Sequence, residues 1–260
     1  MSLPISQAHG AQLAALIGAA PEVRVVVVGA TALGYHLPLP RDTKDVDLAV
    51  AVAVDEVPPL MAAVGWTRDP DEIQRWNGPG AFRADVVPAS DELVERGEVR
   101  LDSGARCMSL VGFDLVFRHA ERVTLPGTTA AIDVAALSTL VVLKMVAFLD
   151  RPHARARDLG DLDHVLRNAL PEDDDRRWDE PLVTAGVEFD CQSAYFMGRE
   201  VAAIALAEHS AKVRAFVERL TSETGHDWAG VTAREVGDRR SGADDAVRTR
   251  WRAFAKGFDG

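Results

Sequence analysis

Cysteine is nearly missing from this chain: Cys107 and Cys191 are the only two, far apart in a 260-residue sequence. Two distant thiols form neither a disulfide framework nor a zinc site. No apolar run reaches the length of a membrane span. The opening residues "MSLPISQAHGAQL" lack a basic segment leading into an apolar one, so no secretory signal is expected and a reduced cytoplasm is the expected setting. Basic residues are in deficit, with Lys and Arg totalling 29 against 40 Asp and Glu, a formal net charge of −11. That excludes a broad electrostatic grip on nucleic acid and leaves room only for a locally basic groove. There is no internal repeat and no low-complexity tract. The apolar fraction of 47% and charged fraction of 27% are those of a globular protein long enough for one large domain or two small ones.

What is present begins at "VRVVVVGATALGYHLPLPRDTKDVDLAV", residues 23 to 50. Val23 to Val28 reads as a strand buried on both faces. Gly29-Ala30-Thr31 then makes a turn, and Thr31 to Leu37 has room for about two helical turns. A dinucleotide-binding turn needs G-x-G-x-x-G, and Thr31 stands where the second glycine would allow the backbone to approach a pyrophosphate. The connection is also too short, with two prolines in it, for the usual crossover to a parallel neighbour. No Gly-Lys-Ser/Thr follows, so a Walker loop is excluded.

The second apolar run, Asp45 to Val52, carries Asp45 and Asp47. Side chains alternate along a strand, so these two share a face roughly 7 Å apart. Carboxylates that close repel unless a cation sits between them. One or two carboxylates together with substrate phosphates are a common way to hold Mg²⁺. Asp85, in the strand Arg83 to Val87 of "FRADVVPAS", is the third candidate ligand. Two metal ions in such a cluster would clamp the attacking and leaving oxygens of an in-line displacement at phosphorus. The plain alternative is the solvated face of an edge strand.

Further expectations complete the first half. Residues 8 to 19 and 55 to 64 read as helices, and short strands are expected at Cys107 to Leu110, Arg122 to Leu125 and Ala130 to Val134. Helical patterns dominate afterwards, at Leu137 to Leu149, Arg157 to Leu170, Ser193 to His209, Ala211 to Leu220 and Ala243 to Phe254. The acidic "PEDDDRRWDE" reads as a loop. The boundary is therefore expected near Val134, giving residues 1–134 and 135–260 as the two domains.

A valine strand, a glycine turn, a basic "RDTK" and D-x-D on the next strand together resemble the nucleotidyltransferase fold shared with polymerase β. The segments "ADVVPAS", "MSLVGFDLVFRHAERVTLPG", "VLKMVAFLDR", "RDLGDLDHVL" and "YFMGREVAAIA" follow in order. Over roughly residues 22 to 206 the chain is similar to the nucleotidyltransferases of the AbiEii abortive-infection toxins, the toxin half of type IV toxin–antitoxin systems, and to the related MenT toxins. The resemblance implies an α/β (α+β) fold: a polymerase β-like nucleotidyltransferase domain with a mixed sheet, then a mostly helical C-terminal domain, with the active site in the cleft between. It implies transfer of a nucleoside monophosphate from an NTP to an acceptor hydroxyl, with pyrophosphate leaving. Mg²⁺ or Mn²⁺ would lie on Asp45, Asp47 and Asp85, and Asp85 would also help deprotonate the acceptor. Gly29, Ala30 and Thr31 would cradle phosphates. Where the family often has a small hydroxyl residue after the turn glycine, this chain has Ala30, so that contact falls to Thr31 or to backbone N–H groups. The partners implied are an RNA acceptor such as tRNA and an antitoxin, with no membrane.

In the helical half, Lys144 has Leu140, Val141, Ala147 and Phe148 as its helical neighbours. A lysine so placed either snorkels to the edge or meets an anion. Lys144, Ala147 and Arg151 fit the family's K-L-x-A-x-x-x-R motif, with Met145 in place of leucine. The resemblance makes Lys144 the cation facing the triphosphate, with Arg151 two turns along the same face; a surface ion pair is the alternative for Arg151. Asp158 and Asp161 fall on the family's D-x-x-D, with Asp161 as the residue expected to point inward, and Asp158 open as a helix N-terminal charge. "RPHARAR" is locally basic. His36, His119 and His153 have no ligand spacing and read as structural. Val247, Trp251 and Phe254 line one helical face, as core or dimer contact. A small-molecule, antibiotic-type nucleotidyltransferase is the competing enzyme reading, which the acidic charge favours. A non-catalytic nucleotide-binding relic is disfavoured by the presence of all three strand carboxylates and Lys144.

Overall fold

The computed structural model describes residues 2–39, 43, 45–101, 107–179, 182–183 and 185–260. Arg41, Asp42 and Lys44 of the basic "RDTK" segment lie outside the described residues, as does Glu180 of the acidic stretch. The chain divides into two compact units, Met1–Leu140 and Val141–Gly260.

The first unit is built on a sheet of β1 (Val25–Val28), β2 (Val46–Val50), β3 (Thr67–Arg68), β4 (Arg75–Gly78), β5 (Phe82–Pro88), β8 (Ala120–Thr124) and β9 (Ala131–Ala135), with a separate pair from β6 (Glu98–Arg100) and β7 (Cys107–Ser109). Its strand order is β3-β4-β5-β2-β1-β9-β8. β1 pairs antiparallel with β2 and parallel with β9, while β2 pairs parallel with β5. The sheet is mixed, as expected, and the antiparallel β1–β2 pair is not the parallel pair a dinucleotide fold would require.

All four valines of β1 are buried, and each contributes about 1.5 kcal/mol or more to the core. Helices α1 (Gln7–Ala19), α2 (Gly29–His36), α3 (Val57–Ala63), α4 (Asp91–Arg96) and α5 (Phe113–Arg118) complete the unit. α1 starts where the Ser6 side chain accepts a hydrogen bond from the His9 amide, and its Leu13 and Leu16 are fully enclosed. α4 is capped by Ser90, carries Asp91 and Glu92 in its first turn, and ends at Gly97. Neither β3–β4 nor α4 nor α5 was expected, each being too short to show a period. His36 donates from Nε2 to the Ala135 carbonyl at 2.8 Å, in keeping with its structural reading.

The second unit contains most of α6 (Leu137–Asp150), then α7 (Ala156–Asn168), α8 (Gln192–Ile204), α9 (Ala207–Thr221), α10 (Trp228–Glu235) and α11 (Ala243–Asp259). The expected helix Ser193 to His209 is in fact two, broken at Ala205, whose backbone is extended. His209 lies in the first turn of the next helix, its Nδ1 accepting from the Leu206 amide. Residues Asp175–Trp178 form a 3₁₀ turn within the expected loop. Val247, Trp251 and Phe254 are fully buried, so this face is core. Phe216 meets Phe148 at 5.3 Å and Trp251 at 5.0 Å between ring centroids. At Gly198 an added Cβ would run into the Phe254 carbonyl, so α8 and α11 touch backbone to backbone.

Candidate active site

Burial along β5 alternates. Phe82, Ala84 and Val86 are buried, and Phe82 packs on His9 of α1 and on Trp66. Asp85 therefore points to the opposite face of the sheet. Strand register places partners beside it on that face. Asp85 lies opposite Asp47 of β2 on one side and Arg75 of β4 on the other, and Asp47 in turn lies opposite Val28 of β1. A single row, Arg75–Asp85–Asp47–Val28, thus crosses four strands and ends at the Gly29 turn.

Asp45 sits in the bend just before β2, not in the strand itself, yet its carboxylate joins the row. Arg75 Nε donates to Asp85 Oδ1 at 2.9 Å, and Nη2 donates to both Asp85 Oδ2 and Asp45 Oδ2 at 3.1 Å. Asp45 and Asp85 therefore converge on one guanidinium. The hydrogen bond to Asp85, with the charges of Asp85 and Asp45, holds the arginine's proton more firmly than water would, against a smaller cost of burial. Asp45 Oδ1 is buried and has no hydrogen-bond partner among the described residues. An orphaned carboxylate oxygen on a residue that shares a guanidinium with a second carboxylate suits a hard cation that takes oxygen ligands.

The turn is shaped by the same carboxylates. Gly29 has φ +63°, and a Cβ there would overlap the Asp47 carboxylate. α2 starts at once, so the backbone N–H groups of its first turn, at Gly29, Ala30 and Thr31, have no partner inside the helix. Thr31 is 1% exposed, and its hydroxyl donates to the Asp45 carbonyl at 3.1 Å. Its side chain ties the turn to the start of β2, which leaves the backbone as the remaining source of the expected phosphate contact.

In the second unit Lys144 is only 9% exposed and does not snorkel. It donates to Asp158 Oδ1 and to Asp161 Oδ2, both at 2.8 Å. Burial alone would lower its pKa and is the largest single influence, but the two carboxylates together outweigh it and raise the value above that of an ordinary lysine. The ammonium is therefore charged at neutral pH. Asp158 shares it equally with Asp161 and is more than a helix N-terminal charge. Arg151, just beyond α6, is exposed; Arg155 is 3.8 Å from Asp158 Oδ2, and Arg157 is exposed.

Sequence reasoning missed Arg75. The available signal was the turn cluster Asn77-Gly78-Pro79-Gly80 ahead of the "FRADVVP" strand. Read as a hairpin, it pairs Gly78 with Phe82, and counting back along both arms sets Arg75 against Asp85.

A family model described as "Nucleotidyl transferase AbiEii toxin, Type IV TA system" matches residues 13–260, a longer stretch than the quoted motifs span. No curated protein matches. Among solved structures, a presumed nucleotidyltransferase from H. pylori aligns at 11% identity over 97% of this chain and 95% of its own, with a TM-score of 0.42. JHP933 from Helicobacter pylori aligns at 12% identity over 99% and 95%, also at 0.42. The family match spans nearly the whole sequence. The chain belongs to the AbiEii family of nucleotidyltransferases, the toxins of type IV toxin–antitoxin systems.

Proposed function

We propose that this protein is a metal-dependent nucleotidyltransferase that adds a nucleoside monophosphate to the hydroxyl end of an RNA, with tRNA as the acceptor and an antitoxin as its partner. The observation that carries the reading is that Asp45 and Asp85 meet on one guanidinium, with Asp47 opposite Asp85 in register and against the Gly29 turn, and that one Asp45 oxygen is buried without a hydrogen-bond partner among the described residues. Asp45, Asp47 and Asp85 would hold Mg²⁺ or Mn²⁺. Bound there, the cation would offset charge on the attacking and leaving oxygens.

The rest falls to the chain's own groups. Backbone N–H groups of the first α2 turn bind phosphate oxygens. The acceptor oxygen attacks the α-phosphorus, the bond to the bridging oxygen breaks, and pyrophosphate leaves with that electron pair. The hydroxyl proton passes to the Asp85 carboxylate. Lys144, kept charged by Asp158 and Asp161, supplies a fixed positive charge to the triphosphate, and Asp161 orients it. Arg151 contacts phosphate, and Arg155 and Arg157 contact the RNA backbone.

Incubation of total RNA with each α-labelled NTP and Mg²⁺ should label a discrete small-RNA band with one preferred nucleotide. Asp47→Asn should abolish the labelling. Arg155→Ala with Arg157→Ala should weaken RNA binding and flatten its salt dependence. The net charge of −11 favours a second reading, a small hydroxylated acceptor. Transfer to such a molecule, with no RNA labelled by any NTP, would establish that one instead.

A further inference from the structure

Three of the Arg75 hydrogen bonds go to Asp45 and Asp85, and the Nη2 group is shared between them. These are two of the three carboxylates assigned to the cation above. A dication on Asp45 and Asp85 would draw on the same oxygen atoms at roughly 2.0–2.1 Å and would stand beside a guanidinium of like charge. Both cannot be held fully at once. The Arg75 side chain is 25% exposed, at the solvent-facing end of the row, so it has somewhere to go.

We propose that Arg75 is a positioning residue that competes with the divalent cation for Asp45 and Asp85, so that the cation loads fully only when an anionic nucleotide draws the guanidinium away. The inference rests on the metal-site reading given above. A triphosphate suits the displaced group, because a guanidinium binds phosphate through two parallel hydrogen bonds. The device makes cation and nucleotide binding cooperative and discourages a bare ion from settling on the carboxylates.

The test titrates Mn²⁺ into the full chain without nucleotide, reading the free ion by electron paramagnetic resonance. Arg75→Gln should bind Mn²⁺ about tenfold more tightly than the unmodified chain, equivalent to about 1.4 kcal/mol. Adding a non-hydrolysable NTP analogue should tighten Mn²⁺ binding more in the unmodified chain than in Arg75→Gln. Arg75→Lys, which keeps a cation but not the fork, should fall between, and it serves as the working variant if circular dichroism shows Arg75→Gln to be misfolded. Asp45→Asn separates the two ideas. If it abolishes Mn²⁺ binding while the Arg75 variants bind no more tightly than the parent, the metal site stands and the competition is refuted. If Asp45→Asn leaves Mn²⁺ binding unchanged, or if no Mn²⁺ binds to the parent or to any Arg75 variant even with the NTP analogue present, the metal site falls and the competition with it.

Discussion

Gly29→Ala probes the junction between the glycine turn and the carboxylate row. Two separate costs apply. The residue has φ +63°, and an L-residue with a Cβ pays about 1–2 kcal/mol there. The new Cβ would also lie 2.8 Å from Asp47 Cβ and overlap the carboxylate beyond it, which forces Asp47 off its rotamer for about 0.5–1.5 kcal/mol. The sum, roughly 2–3 kcal/mol, should lower the thermal midpoint of the sheet unit by roughly 5–10 °C at the usual scaling for domains of this size. The second cost disappears if Asp47 is absent. Asp47→Gly is the better partner than Asp47→Ala, since the Asp47 Cβ is itself one of the crowding atoms. In a double-mutant cycle followed by near-UV circular dichroism, Gly29→Ala should cost about 1 kcal/mol less in the Asp47→Gly background. Equal costs in both backgrounds would refute the claim that the glycine is there to admit the Asp47 carboxylate.

Lys144→Met leaves Asp158 and Asp161 buried without their cation and should destabilise the helical unit by about 3–5 kcal/mol, read as a lowered urea midpoint in far-UV circular dichroism. The folded-state pKa of Lys144 lies above its unfolded value of about 10.5, so its contribution is complete below about pH 10.5 and is lost as pH rises through the higher folded value. The stability gap between Lys144→Met and the parent should accordingly stay constant from neutral pH to about pH 10 and narrow beyond it; a gap that narrows on acidifying from pH 10 to 8 would refute this. Gly198→Ala should cost roughly 1–3 kcal/mol by pushing α8 off α11, and a neutral result in the same urea assay would contradict the backbone contact seen there.

Elements with strong periodicity or β-branched runs were legible from the residues alone. The four-valine strand, the D-x-D strand, the "FRADVVP" strand and the helix around Lys144 all carry enough apolar residues to announce their type. What stayed hidden was short or depended on pairing. The two residues of β3 and the four of β4 have no period to detect, and α5 lies inside a run of mixed character. The break after Ile204 was misplaced because "ALAEHSAKV" continues a helical pattern straight through it. The extended backbone at Ala205 and the His209 cap are set by packing and a local hydrogen bond, not by a glycine or proline. At the site, the shared face of Asp47 and Asp85 was readable, but the arginine that bridges Asp45 and Asp85 was not. Arg75 is one arginine among many until the register of a hairpin sets it beside Asp85.

Both polar clusters follow one design with opposite consequences, and burial decides between them. Arg75 binds Asp45 and Asp85, and Lys144 binds Asp158 and Asp161, so each cation bridges two carboxylates. Lys144 is enclosed, with side-chain exposures of 11% for itself, 11% for Asp158 and 8% for Asp161. Pulling that ammonium out would strand two carboxylates in a dry setting, so the trio behaves as a fixed charge. An ammonium has three protons, and two are committed, so at most one remains for a phosphate oxygen. Lys144 is therefore a positive charge held in place, with at most one N–H left to donate. The Arg75 group is more open, with side-chain exposures of 25% for Arg75 and 29% for Asp45, so water can replace each lost bond as the guanidinium leaves. The exchangeable cation stands among the proposed metal ligands, where exchange is useful. The fixed one lies among helices, where a permanent charge is.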